Sequence, residues 1–174
     1  MTAIRPLVMK FGGTSVATVD RIKNAAAIVK QQKGKYRHVV VVVSAPGDTT
    51  DELIEKAHQI TRTPDVREMD MLLATGEQMS IALLAMALKE AGCDAVSLTG
   101  PQAGIRADAV HTKARITHID PTNILKHLRA GRVVIVAGFQ GLNPNDDITT
   151  LGRGGSDLTA VALAAVLKSP RCEI

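Results

Sequence analysis

Apolar positions in this chain fall into two patterns. Four short runs, over 7–11, 38–43, 94–98 and 133–137, are nearly unbroken and mostly aliphatic, which is how strands buried on both faces of a sheet read. The clearest has five valines in a row after His38. Between these runs, apolar residues recur every three or four positions, the helical period. The spacing predicts helices over 18–32, with Ile22, Ala26 and Val29 on one face, and over 51–60, 65–89, 121–130 and 156–168. Thr75-Gly76 interrupts the long 65–89 pattern. A glycine inside a helix costs about 1 kcal/mol against alanine, so it marks either a boundary or a close approach. Pro121 opens the fourth helix and Gly131 stops it.

Alternating runs over 105–110 and 114–119 predict a β-hairpin excursion, and the chain from 138 to 150 is rich in turn residues. Residues 172–174 read as the start of a fifth strand. Strands alternating with helices predict an α/β fold: one domain over 1–174, an open, mostly parallel sheet with helices on both faces in three layers. A crossover helix that enters a strand and then stops leaves a sheet edge unfinished. The expectation is therefore a fold truncated at its C-terminal side, the front part of a longer protein.

Composition narrows the core. Hydrophobic residues make up 45% of the 174 and aromatics 2%, so the core is aliphatic, and a chain of this length buries roughly 70% of its unfolded surface. The net charge of +4 and pI near 9.3 come from scattered Lys and Arg without interleaved aromatics, which points to anionic small ligands and away from nucleic acid. Cys93 and Cys172 lack metal or disulfide spacing and read as free thiols in a reducing cytoplasm. No charged segment followed by an apolar one opens the sequence, and no apolar run approaches membrane-spanning length. A soluble protein, neither exported by that route nor bound to a membrane, is expected.

Candidate chemistry begins at Lys10-Phe11-Gly12-Gly13-Thr14-Ser15, between the first strand and the first helix. Adjacent glycines can take positive φ and let backbone N–H groups approach a polyphosphate, with a helix amino end behind them. The lysine precedes the glycines, so neither GxxxxGK[ST] nor GxGxxG applies, and a Gly-Gly turn is equally an ordinary tight connection. A second corner, Arg153-Gly154-Gly155-Ser156-Asp157, precedes the last helix. Both should lie at the carboxyl edge of one sheet, where open α/β folds hold ligands. Between them, Ser44 to Thr50 ends the valine strand, and Thr49 or Thr50 reads equally as a helix N-cap. Glu77 is either a first-turn carboxylate or a group aimed into a cleft at a substrate ammonium. His38, His111 and His118 lack metal-site companions and read as solvated or hydrogen-bonded side chains.

Four strings in register, KFGGTSV, VVVVVSAPGDTTDEL, REMDMLLATGEQMS and VIVAGFQG with TTLGRGGSDLTAVALAA, resemble the aspartokinase family, within the amino acid kinase fold. The resemblance runs over essentially the whole chain and corresponds to the N-terminal part of that catalytic domain. It implies ATP-dependent phosphorylation of L-aspartate to 4-phospho-L-aspartate, the first step of the route to lysine, threonine and methionine. ATP would act as its Mg²⁺ complex, in a cytoplasmic enzyme that is a homo-oligomer when full length.

By the same resemblance, Lys10 and Asp157 form the catalytic pair. Lys10, Phe11, Gly12, Gly13 and Ser15 hold phosphates, while Thr50, Glu77, Arg153 and Ser156 grip aspartate, with Thr14, Ser15 and Ser44 lining the same crevice. No residue ligates a metal directly. In the family the adenine contacts and ACT-type regulatory domains follow at positions beyond Ile174. Phosphoryl transfer asks the protein chiefly for positioning and charge compensation, and an ionised carboxylate acceptor needs no general base. Two alternatives stay open: a relative acting on glutamate, acetylglutamate, carbamate or a nucleoside monophosphate, and a catalytically incompetent fragment or partner chain.

Overall fold

The computed structural model describes residues 4–152 and 154–174. β1 (Leu7–Phe11) leads through a 3₁₀ turn at Gly13–Val16 to α1 (Val19–Lys35), followed by β2 (Val39–Val43), α2 (Thr49–Ile60), α3 (Val66–Glu90) and β3 (Ala95–Leu98). Next come β4 (Ile105–Ala107), β5 (Ile116–Ile119), α4 (Thr122–Arg129), β6 (Val133–Ala137), β7 (Gln140–Leu142), β8 (Ile148–Thr150), α5 (Gly155–Val166) and β9 (Cys172–Glu173).

The main sheet has the order β3-β6-β2-β1-β9, and all its pairings are parallel. Period-two alternation sends each strand's side chains to two separate cores. Leu7, Met9, Val39, Val41, Val43, Val133 and Ile135 pack under α1 and α3, through Ile22, Val29, Leu84 and Leu88. Val8, Val40, Val42, Val134 and Val136 pack under α4 and α5, through Ile124, Leu128, Ala160 and Leu163. The continuous valine run follows from this arrangement, because both faces of β2 are covered. The fold is the expected three-layer α/β with helices on both faces of a parallel sheet.

The structure refines the sequence reading in three places. First, α3 runs unbroken through Thr75-Gly76. Gly76 marks a close approach rather than a boundary, since a Cβ there would stand 2.7 Å from the Ala45 Cβ. Second, the hairpin excursion is larger than predicted. β4 pairs antiparallel with β5, and both join the β7–β8 hairpin in a second sheet of order β5-β4-β7-β8. Third, α1 is capped by Thr18, whose hydroxyl accepts the Arg21 N–H at 3.3 Å, so its amino end lies beyond the first glycine corner.

By length and composition α3 is apolar enough to cross a bilayer, but half of that window is buried inside the protein. It also carries the buried carboxylates Asp70 and Glu77. Cys93 is buried and Cys172 exposed, and both are free thiols.

Candidate functional site

Three adjacent strands, β1, β2 and β6, end at the same edge, and backbone hydrogen bonds continue past them. Ser44 N–H donates to the Phe11 carbonyl at 3.2 Å, Gly47 N–H to the Gly13 carbonyl at 3.0 Å, and Gly138 N–H to the Val43 carbonyl at 3.0 Å. The three strand exits are thereby zipped into one floor. Gly13 is required for this: a Cβ there would come within 2.7 Å of the Ala45 carbonyl oxygen. In the first corner Gly13 thus acts by close approach, and neither glycine takes positive φ, Gly12 having φ −72°. The left-handed residue lies in the second corner, where Gly154 (φ 77°) caps α5.

Over this floor lies a cavity of about 250 Å³, lined by Lys10, Gly13, Ser44, Ala45, Gly47, Thr50, Glu77, Phe139, Gly154, Gly155, Ser156 and Asp157. The amino ends of α5, at Gly155 to Asp157, and of α2, at Thr50, line the cavity, and that of α1 does not. Their partial positive charge and first-turn N–H groups suit an anion. Within the cavity Lys10 Nζ stands 2.5 Å from Asp157 Oδ1; Lys10 is mostly buried and Asp157 half exposed. A cation pinned by a carboxylate on a helix's first turn is a fixed charge aimed at the space above it.

Glu77 lines the same cavity. It is 3% exposed; its Oε1 accepts the Ala45 N–H at 3.0 Å, while Oε2 is buried without a partner. Burial pushes its carboxyl up to about 7, against the opposing effect of the backbone N–H groups of Ala45 and of Glu77 itself. Oε2 thus keeps unused acceptor capacity inside the protein.

Of the residues singled out from the sequence, Lys10, Gly13, Ser44, Thr50, Glu77, Ser156 and Asp157 are brought together in this cavity. Phe11, Thr14 and Ser15 line a neighbouring groove of about 250 Å³ with Arg21 and Asn24. Gly12 lies beside the Lys10 ammonium, where a Cβ would be 3.5 Å from Nζ. Arg153 lies outside the described residues.

Sequence reading missed Phe139. It is a non-glycine residue at φ 66° and a wall of the cavity. Its signal was an aromatic flanked by Gly138 and Gln140-Gly141 in a chain with two phenylalanines. Asp70 was missed as well. Fully buried on α3, it accepts the Thr112 N–H at 3.1 Å and the Thr150 hydroxyl and stands 2.7 Å from His111 Nδ1. His111 is thus hydrogen-bonded, as one reading had it, while His118 is exposed.

The amino acid kinase family model matches residues 5–174. Aspartokinase 2 of Bacillus subtilis is 61% identical over 170 residues, covering 97% of this chain and 41% of the relative. The aspartokinase of Geobacillus stearothermophilus is 60% identical over 168 residues with the same coverage. The chain therefore spans about two fifths of the length of these relatives. Among solved structures, aspartate kinase from Synechocystis superposes with TM-score 0.81 at 50% identity, over 95% of this chain and 27% of that one. Aspartokinase III of E. coli, solved with aspartate and ADP, gives 0.83 at 26% identity over 97% and 48%.

Proposed function

This chain belongs to the amino acid kinase family, and on that premise we propose that it forms the phosphate- and acceptor-binding part of an aspartate kinase, which transfers the γ-phosphoryl group of ATP to the side-chain carboxylate of L-aspartate. The observation that carries the reading is the Lys10–Asp157 pair at 2.5 Å, in one cavity with the buried Glu77. It is supported by relatives at 60% and 61% identity that bear the name aspartokinase.

The chemistry follows from the arrangement. An acceptor carboxylate is ionised at neutral pH, so the site needs no base to activate it. What it must supply is in-line positioning and positive charge against the equatorial oxygens of the transferring group. Lys10 provides that charge, and Asp157 holds its ammonium in place. The amino end of α5, at Gly155 and Ser156, faces the same anions. Glu77 offers Oε2 to the acceptor's ammonium, and Thr50 and Ser156 offer hydroxyls. Arg153, from the same corner, would take an acceptor carboxylate.

Mg²⁺ enters as part of the nucleotide complex, where it neutralises phosphate charge. The same reading carries the rest: a cytoplasmic biosynthetic enzyme, a homo-oligomer when full length, on the route to lysine, threonine and methionine.

The test is acyl-phosphate formation by the full-length protein. With ATP, Mg²⁺ and L-aspartate, hydroxylamine should trap the product as a hydroxamate, and L-glutamate should give at least about tenfold less, within what one methylene can discriminate. A folded protein that yields hydroxamate from glutamate but not from aspartate would move the assignment to another member of the family. One that yields none from either overturns carboxylate phosphorylation.

A further inference from the structure

Thr159 lies on α5 one turn beyond the cavity, completely buried, and its hydroxyl is used twice. It donates to the Gly155 carbonyl at 2.7 Å and accepts the Phe139 N–H at 3.2 Å. The first bond, back along its own helix, is a common way for a buried threonine to satisfy itself. The second is not explained that way, because Phe139 belongs to the turn between β6 and β7.

That turn is strained. Phe139 adopts φ 66°, a region that bulky residues occupy only when their surroundings hold them there. Both of its backbone groups are engaged: the N–H by Thr159, and the carbonyl by the Leu151 N–H at 2.8 Å. Side-chain contacts close the same joint. A Cβ on Gly155 would meet the Phe139 ring at 2.7 Å, and one on Gly138 would meet Ser156 Oγ at 2.6 Å. The end of β6 and the first turn of α5 therefore interlock, with the Thr159 hydroxyl as the polar tie between them. Phe139, Gly155, Ser156 and Asp157 line the cavity, whereas Thr159 is not among its lining residues.

We propose that Thr159 is a positioning residue: by holding Phe139 in its left-handed conformation against Gly155, it sets the distance between the Phe139 wall and Asp157, and so the width of the acceptor pocket. The consequence for turnover rests on the kinase reading above; the tie between the two elements does not.

The experiment uses the full-length protein with Thr159→Val, which keeps shape and removes the hydroxyl, and Thr159→Ser, which keeps the hydroxyl. Misplacement of about 1 Å at a reacting centre costs up to about 10²-fold. The expected result for Thr159→Val is a rise of about tenfold in KM for the amino acid acceptor, with KM for ATP changed by less than about twofold, and Thr159→Ser should restore most of the loss. Hydrogen exchange at the Phe139 amide should quicken by about tenfold or more in Thr159→Val and not in Thr159→Ser.

In a Phe139→Gly background, where the backbone enters the left-handed region unaided, Thr159→Val should add little further change. An unaltered acceptor KM, or equal rises in both KM values accompanied by a lower melting temperature, would overturn the positioning role. If the unmodified protein phosphorylates no acceptor, the kinase reading falls, and the Phe139 exchange rate alone decides the tie. Should Thr159→Val not fold, Thr159→Ala removes the same hydroxyl and is read in the same way.

Discussion

Glu77 accepts the backbone N–H of Ala45 at 3.0 Å through Oε1 and leaves Oε2 buried and unpartnered. The loop that follows β2 is therefore fastened to α3 by a side chain that also lines the cavity. Burial raises its carboxyl from 4.5 to about 7. Between these values the folded protein binds a proton that the unfolded chain has released. The stabilisation is thus full below about pH 4.5 and is lost as pH rises through about 7, by a total of about 3 kcal/mol. Glu77→Gln, which keeps an oxygen for Ala45 but never ionises, should flatten this slope in urea unfolding measured from pH 5 to 8. It should also raise the acceptor KM by about 10² or more, because an ammonium would lose its counter-charge.

Lys10→Ala and Asp157→Ala should each lower turnover by about 10² or more, as loss of a preorganised charge does. The double variant should be little worse than either alone, since the two side chains act as one unit. Asp157 is half exposed, so the pair contributes little to folding. Steady-state kinetics beside thermal melting should show turnover collapsing while the melting temperature shifts only slightly. Near-normal turnover in both single variants would remove the pair from the chemistry.

Gly76→Ala should destabilise the protein by about 1–3 kcal/mol, the range for overpacking, despite the helix propensity gained at an interior position. The reason is its 2.7 Å clash with the Ala45 Cβ. Ala45→Gly in the same chain should recover most of the loss. A Gly76→Ala variant as stable as the parent in urea titration would mean that the contact relaxes at no cost.

Asp70→Ala should cost about 3 kcal/mol or more, because it strands the buried Thr150 hydroxyl, the part-buried Thr112 N–H and the His111 ring. Asp70→Asn, which retains an acceptor, should cost less. Chemical denaturation ranks the two, and equal losses would show that packing, not hydrogen bonding, sets the role of this side chain.

Much of this was legible because it is local or periodic. The valine run of β2 announced a strand covered on both faces, and the period of Ile22, Ala26 and Val29 announced the buried face of α1. Both glycine corners and their charged residues were visible as strings. Phe139 was not, because its importance comes from a backbone angle and from contacts with α5, neither of which has a spacing along the chain. Asp70 was hidden for a similar reason: its partners Thr112 and Thr150 lie roughly 40 and 80 positions away.

The sequence by itself determined the alternation of strand and helix, the aliphatic core and the residue types able to bind phosphate, because each follows from side-chain chemistry and from the periods 2 and 3.6. Only the tertiary structure decided that Gly13 and Gly76 converge on Ala45, that α3 continues through its glycine, and that the amino ends of α2 and α5, not of α1, line the cavity. These are consequences of packing between distant segments. There the space left by a missing Cβ and the burial of a charge depend on what the rest of the chain brings alongside, and no local pattern encodes that.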